Sequence, residues 1–116
     1  MPQQTLTLFD SSVAATAEAG RTIGGYIKKI HAINSNVVDV YLQLFDAAVA
    51  DVTVGTTTPK QSYLIPAGSG GGAGAYADDF GVDGLHFQTA ITYACTTTAT
   101  GNTAPTTGLV LNVVYI

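Results

Sequence analysis

The dominant apolar spacing along this chain is two residues, not 3.6, and that spacing commits most of it to extended strands. The clearest case is VVDVYLQLF, where Val38, Val40, Leu42 and Leu44 share one face and Val37, Asp39, Tyr41, Gln43 and Phe45 the other. Residues 90 to 98 alternate in the same way, with Ile91, Tyr93 and Cys95 opposite Ala90, Thr92, Ala94 and Thr96. The closing GLVLNVVYI sets Leu109, Leu111, Val113 and Tyr115 against Val110, Asn112, Val114 and Ile116. It is apolar on nearly both sides, as suits a central strand or a strand docked into an interface.

Residues 5 to 9 also alternate, then break at Asp10-Ser11-Ser12. The VAATAEAG that follows has the only helix-favouring composition in the chain, with Ser12 as a cap and Gly20 as a stop, so any helix belongs at residues 12 to 20. So short a segment does not hold a helix alone. Residues 1 to 20 read equally as an N-terminal strand and arm that orders on a partner, ahead of a single sandwich domain over residues 21 to 116. In TIGGYIKKIHAIN neither face is cleanly apolar, because Ile27, Lys29, His31 and Ile33 alternate with Tyr26, Lys28, Ile30 and Ala32. That mixture suits an edge strand, or one side of a subunit contact, whose lysines discourage uncontrolled pairing. Asn34-Ser35-Asn36 supplies a turn, and GSGGGAGA at residues 68 to 75 a flexible loop. GTTTP at 55 to 59 and GNTAP at 101 to 105 share a G-x-T-x-P frame, in which Gly permits an unusual dihedral and Pro fixes the next φ. About seven or eight short strands between Gly and Thr turns predict an all-β fold. The architecture expected is an antiparallel β-sandwich, with the jelly roll as one winding that fits.

Only 10% of the 116 residues are charged, the formal net charge is −4, and every charged side chain precedes residue 84. A soluble domain typically carries about 25%. A closing segment without charge is either packed on both sides or set against something other than water. Arg21, Lys28, Lys29 and Lys60 form no stripe that could track a phosphate backbone, so direct nucleic-acid binding is not expected. The start MPQQTLTLFDSS lacks a basic region followed by an apolar core, and no long apolar run occurs anywhere, so neither a signal peptide nor a membrane span is expected. The single Cys95 excludes an intrachain disulfide framework and a multi-cysteine metal site. One domain with a radius of gyration near ~13 Å is the expected size.

Chemical motifs are scarce. GSGGGAG is followed by no Gly-Lys-Ser/Thr and opens no helix, so it lacks the cradle of a phosphate loop. Asp78, Asp79 and Asp83 could lend oxygens to calcium, but they do not match the EF-hand spacing, and solvated turn acids account for them better. His31 and His86 have no partner at metal-ligand spacing, and His86 alternates with Leu85 and Phe87 as an outward strand residue. Cys95 reads as a small hydrophobe, since nothing near it in sequence would activate a thiol. No G-x-S-x-G elbow occurs, and Glu18 is the lone glutamate. No catalytic residue, cofactor or metal is expected, and the chain is not expected to be an enzyme. Sugar binding would need exposed aromatic platforms, for which Tyr26, Tyr63 and Tyr76 are the candidates in a chain without Trp.

The run IHAINSNVVDVYLQLFD, the GTTTP corner and the closing GLHFQTAITYACTTTATGNTAPTTGLVLNVVYI resemble a group of small structural proteins encoded among the head and neck genes of tailed bacteriophages. The features that carry the resemblance are a hydrophobic strand containing Leu-Phe-Asp, a G-T-T-x-P corner and a charge-free, Thr-rich tail ending in an aromatic-apolar strand. It implies a capsid decoration, cement or minor virion protein built as a β-sandwich, and it brings no catalytic motif. The expected role is a structural virion protein on the capsid exterior that binds major capsid protein subunits, as a homo-oligomer with a trimer favoured. The alternative is a fibre, tail or receptor-binding module that contacts host-surface carbohydrate.

Overall fold

Among the residues described by this computed structural model, 5–68 and 72–116, nine strands and one short 3-10 turn account for the regular structure. The strands are β1 (Leu6–Val13), β2 (Glu18–Arg21), β3 (Gly25–Asn34), β4 (Val40–Phe45), β5 (Gln61–Ile65), β6 (Gly74–Asp79), β7 (Leu85–Phe87), β8 (Ile91–Thr96) and β9 (Leu109–Tyr115). Every pairing is antiparallel. One sheet has the order β1-β9-β3-β6, with β7 also on β3, and the other has the order β2-β8-β4-β5. Since β6 and β7 lie end to end along β3, they count as one interrupted strand, and the winding is then that of an eight-stranded jelly roll. The Cα radius of gyration is 13.6 Å, close to the size expected for one domain.

The alternating faces close on each other as the sequence pattern requires. Ile27, Ile30, Ala32, Leu109, Leu111 and Val113 from the first sheet meet Val40, Leu42, Leu44, Ile65, Ile91, Tyr93 and Cys95 from the second, all nearly or fully buried. Each fully buried Leu or Ile contributes roughly 2 kcal/mol. At one end Asn34 and Asn36 tie three connections together. The Asn34 Nδ2 donates to the carbonyls of Val38 (2.9 Å) and Ile65 (3.1 Å), while Asn36 exchanges two 2.8 Å hydrogen bonds with the backbone of Thr107. At the other end Asp46 accepts from the backbone N–H groups of Gln88 (2.9 Å), Thr89 (2.7 Å) and Ala90 (3.4 Å).

Two local expectations are corrected. Residues 12 to 20 form no helix: β1 continues through Val13, and β2 starts at Glu18 with Glu18 opposite Tyr93 and Ala19 opposite Thr92. Sheet hydrogen bonds to β9 and β8 outweigh the weak helix preference of an Ala-rich octamer. Nor is β3 an edge strand; it is central, paired with β9 on one side and with β6 and β7 on the other. A register shift between Ile27 and Lys29 explains the misleading pattern. Such a bulge moves the alternation by one residue, so Ile27 and Ile30 both point into the core. The partner strand breaks at the same level, where residues 80 to 84 bend away through Gly81 (φ +76°) and Gly84 (φ +75°). There the Lys28 ammonium donates to the Val82 carbonyl, and the Lys28 carbonyl accepts from the Phe80 N–H at 2.9 Å.

Candidate interaction face

The two sheets differ in what lies over their outer faces. On the second sheet the outward residues Gln43, Phe45, Thr92, Ala94 and Thr96 are as buried as the core. The chain's own connections cover them. From the β4–β5 connection, the Ala47 carbonyl accepts the Thr92 hydroxyl at 2.6 Å. From the β8–β9 connection, Gly101 and Ala99 carbonyls accept Gln43 Nε2 (3.1 Å) and the Ser62 hydroxyl (2.7 Å). Gln43 Nε2 also donates to Thr96 Oγ1 at 2.6 Å, leaving Gln43 Oε1 buried without a partner.

The first sheet presents its outer face to solvent. Register fixes three rows across it: Thr7, Val114, Lys29 and Asp79; then Phe9, Asn112, His31 and Ala77; then Val110, Ile33 and Ala75. Phe9 is 64% exposed. Lys29 and Asp79 form an ion pair at 3.8 Å with both side chains largely in solvent, which adds little stability. A shallow recess of about 400 Å³ is lined by Lys29, His31, Ala77, Asp79, Asn112 and Val114. Below the first row Tyr26 stacks on His86 with ring centroids 4.7 Å apart, so both histidines of the chain project from this sheet. A second recess of about 400 Å³ lies there, bounded by Arg21, Tyr26, His86, Gln88 and Ile116.

The acidic and aromatic candidates are dispersed rather than gathered. Asp78 faces inward and accepts the Tyr76 hydroxyl at 3.0 Å, whereas Asp79 faces out and accepts the Gly81 N–H at 2.9 Å. Among the described residues no group of three His, Cys, Asp or Glu is placed to hold a metal ion. Tyr63 and Tyr76 stack on each other at 5.6 Å and Phe80 closes beside them, so these two tyrosines seal the sandwich between β5 and β6 instead of offering sugar platforms. Tyr26 is 38% exposed. Cys95 is fully buried, and desolvation pushes its thiol up to about 12. The Gly-rich loop at residues 68 to 75 lies partly outside the described residues; its last two, Gly74 and Ala75, belong to β6. The covering of the second sheet has a sequence signal, the GTTTP and GNTAP corners, whose mutual approach no strand pattern reports. No protein family matches the chain, and no curated protein matches it in sequence.

Proposed function

We propose that the protein is a structural virion component that decorates or cements a bacteriophage capsid, docking on major capsid protein subunits through the outer face of the β1-β9-β3-β6 sheet. The observation that carries this reading is the asymmetry of the sandwich: one outer face is covered by its own loops, and the other is open, sparsely charged and crossed, among the described residues, by one exposed ion pair. Desolvating such a face costs little, because few charges must give up water. The sequence resemblance to phage head and neck proteins supplies the kind of partner. With strands about 4.8 Å apart and rows about 6.8 Å apart, the open face projects over roughly 300 Å². A stable interface needs about 800 Å² per partner. One copy would therefore bind weakly, and attachment as a homo-oligomer, with a trimer favoured, supplies the missing affinity through avidity.

Co-sedimentation with undecorated phage heads tests the proposal. Ala77→Glu and Ile33→Asp, both on the open face, should abolish pelleting, while Thr58→Lys on the loop-covered side should leave it intact. Equal binding by all three variants would refute the assignment of the face, and failure of the wild type to bind any head would refute the role. Light scattering that returns a monomer of 11.9 kDa at every concentration would remove the oligomer. The second reading, contact with host-surface carbohydrate, is favoured by the Tyr26–His86 stack beside Arg21 and Gln88. Binding to a glycan array that Tyr26→Ala abolishes would select it instead.

A further inference from the structure

We propose that Asp10 and Glu18 form a proton-sharing clasp across the seam between β1 and β2, holding that side of the sandwich closed in mildly acid solution and loosening it toward neutral pH. Asp10 belongs to the first sheet, and Glu18 to the second. Tyr93, rising from β8, places its hydroxyl oxygen 2.9 Å from Asp10 Oδ2 and 3.1 Å from Glu18 Oε2. A phenol has one proton to donate, so it satisfies one carboxylate only. The remaining close approach is attractive when one of the two carboxyls carries a second proton, and repulsive when neither does. Asp10 is the better anion, because its Oδ1 also accepts the Ser12 N–H at 2.9 Å. Glu18 is then the group that holds the proton.

The titration directions agree with this geometry. The hydrogen bond to Asp10, followed by desolvation, raises Glu18 above its ordinary value. Desolvation pulls Asp10 upward too, but hydrogen bonds from Glu18, the Ser12 N–H and Tyr93 outweigh it, and Asp10 is lowered. Glu18 contributes stability that is full below its unfolded value and lost as pH rises through its raised one; Asp10 contributes stability that is full above its unfolded value and lost as pH falls through its lowered one. The clasp is tightest between the two. Among the described residues the four cationic side chains are engaged elsewhere. Arg21, on β2, lies 5.6 Å over the Tyr115 ring of β9, and Lys29 pairs with Asp79. Lys28 is bonded to Val82, and Lys60 lies 5.8 Å over the Phe87 ring. The other titratable side chain on β8 is the buried Cys95, and the connection Ala14-Ala15-Thr16-Ala17 carries none. At the opposite seam, closed by the Tyr63–Tyr76 stack, desolvation and the neighbouring Asp78 raise both phenols, Tyr76 to about 12.

Hydrogen exchange corrected for intrinsic rates tests the clasp at the Cys95 amide, which crosses the seam to the Ala14 carbonyl at 2.8 Å, and at residues 14 to 17. Between about pH 5 and about pH 8 the wild type should lose protection there severalfold, as Glu18 gives up its proton. Glu18→Gln keeps a donor that cannot titrate and should hold the same protection at both pH values. Tyr93→Phe keeps the ring, removes the bridging hydroxyl and should weaken the pH dependence. A wild type with no pH dependence at the seam, or a Glu18→Gln variant that follows the wild-type profile, would overturn the proposal. This readout is independent of any binding to phage heads.

Discussion

A methyl group built on Gly55 would lie 2.8 Å from Cβ of Asn102, so the two corners that share the G-x-T-x-P frame meet each other over the second sheet. Gly55 has φ of +93°, a region that side chains resist, and the close approach adds a second reason for glycine. Gly55→Ala should lower stability by about 2 kcal/mol in urea unfolding. In an Asn102→Gly background the collision is relieved and the backbone strain is not, so the loss should fall to about 1 kcal/mol. Equal losses in both backgrounds would show that the two corners do not touch.

Gln43 is fully buried and ties β4 to Thr96 and to the Gly101 carbonyl. Replacing it with Leu removes both hydrogen bonds and also the unpartnered Oε1, leaving the Gly101 carbonyl without its donor. The expected cost is about 1–2 kcal/mol. Proteolysis of native protein should speed up at residues 97 to 104 and stay unchanged at residues 80 to 84.

Asp46 fastens the start of β8 through three backbone N–H groups. Desolvation raises its carboxyl, but those three hydrogen bonds and the nearby Lys60 charge outweigh it, and the pKa is lowered. Its contribution is complete above the unfolded value and disappears as pH falls through the lowered folded one. Acid unfolding of Asp46→Asn should therefore begin from lower stability and decline less steeply with falling pH than that of the wild type.

Cys95 should resist alkylation in the folded protein at mildly alkaline pH, because a thiol raised to about 12 supplies almost no thiolate there. Modification should follow the urea unfolding curve. Fast labelling without unfolding would show that the thiol is reachable from solvent.

The architecture was legible wherever alternation ran unbroken. Leu42 and Leu44 in β4, Ile91, Tyr93 and Cys95 in β8, and Leu109, Leu111 and Val113 in β9 all enter the core on the face their spacing indicates. It was illegible where one inserted residue changed the phase. At Lys28 the bulge makes a central strand look like an edge, and single-period reasoning has no way to see the shift. Gln43 and Thr92 look like solvent residues by chemistry, yet they are buried where connections distant in sequence fold over them. The same limit hid the open face, which is defined by what does not cover the first sheet. The carboxyl pair escaped detection for a related reason: Asp10 and Glu18 come from opposite sheets, and Tyr93, which joins them, is far along the chain.

The position of β9 between β1 and β3 sets the order in which the molecule can be completed on the ribosome. Leu6 pairs with Tyr115, and among the described residues β1 has no neighbour in its sheet other than β9. The β4–β5 ladder can form as soon as residue 65 has emerged, and β8 can join it some thirty residues later. β1, by contrast, stays unpaired until β9 has left the exit tunnel. Closing so long a loop is slow, and during that interval the apolar edge of β3 that β9 will occupy is open as well. Translation that stalls before residue 109 would therefore release a chain with its second sheet formed and its first sheet divided, the state of this molecule most exposed to association with other copies.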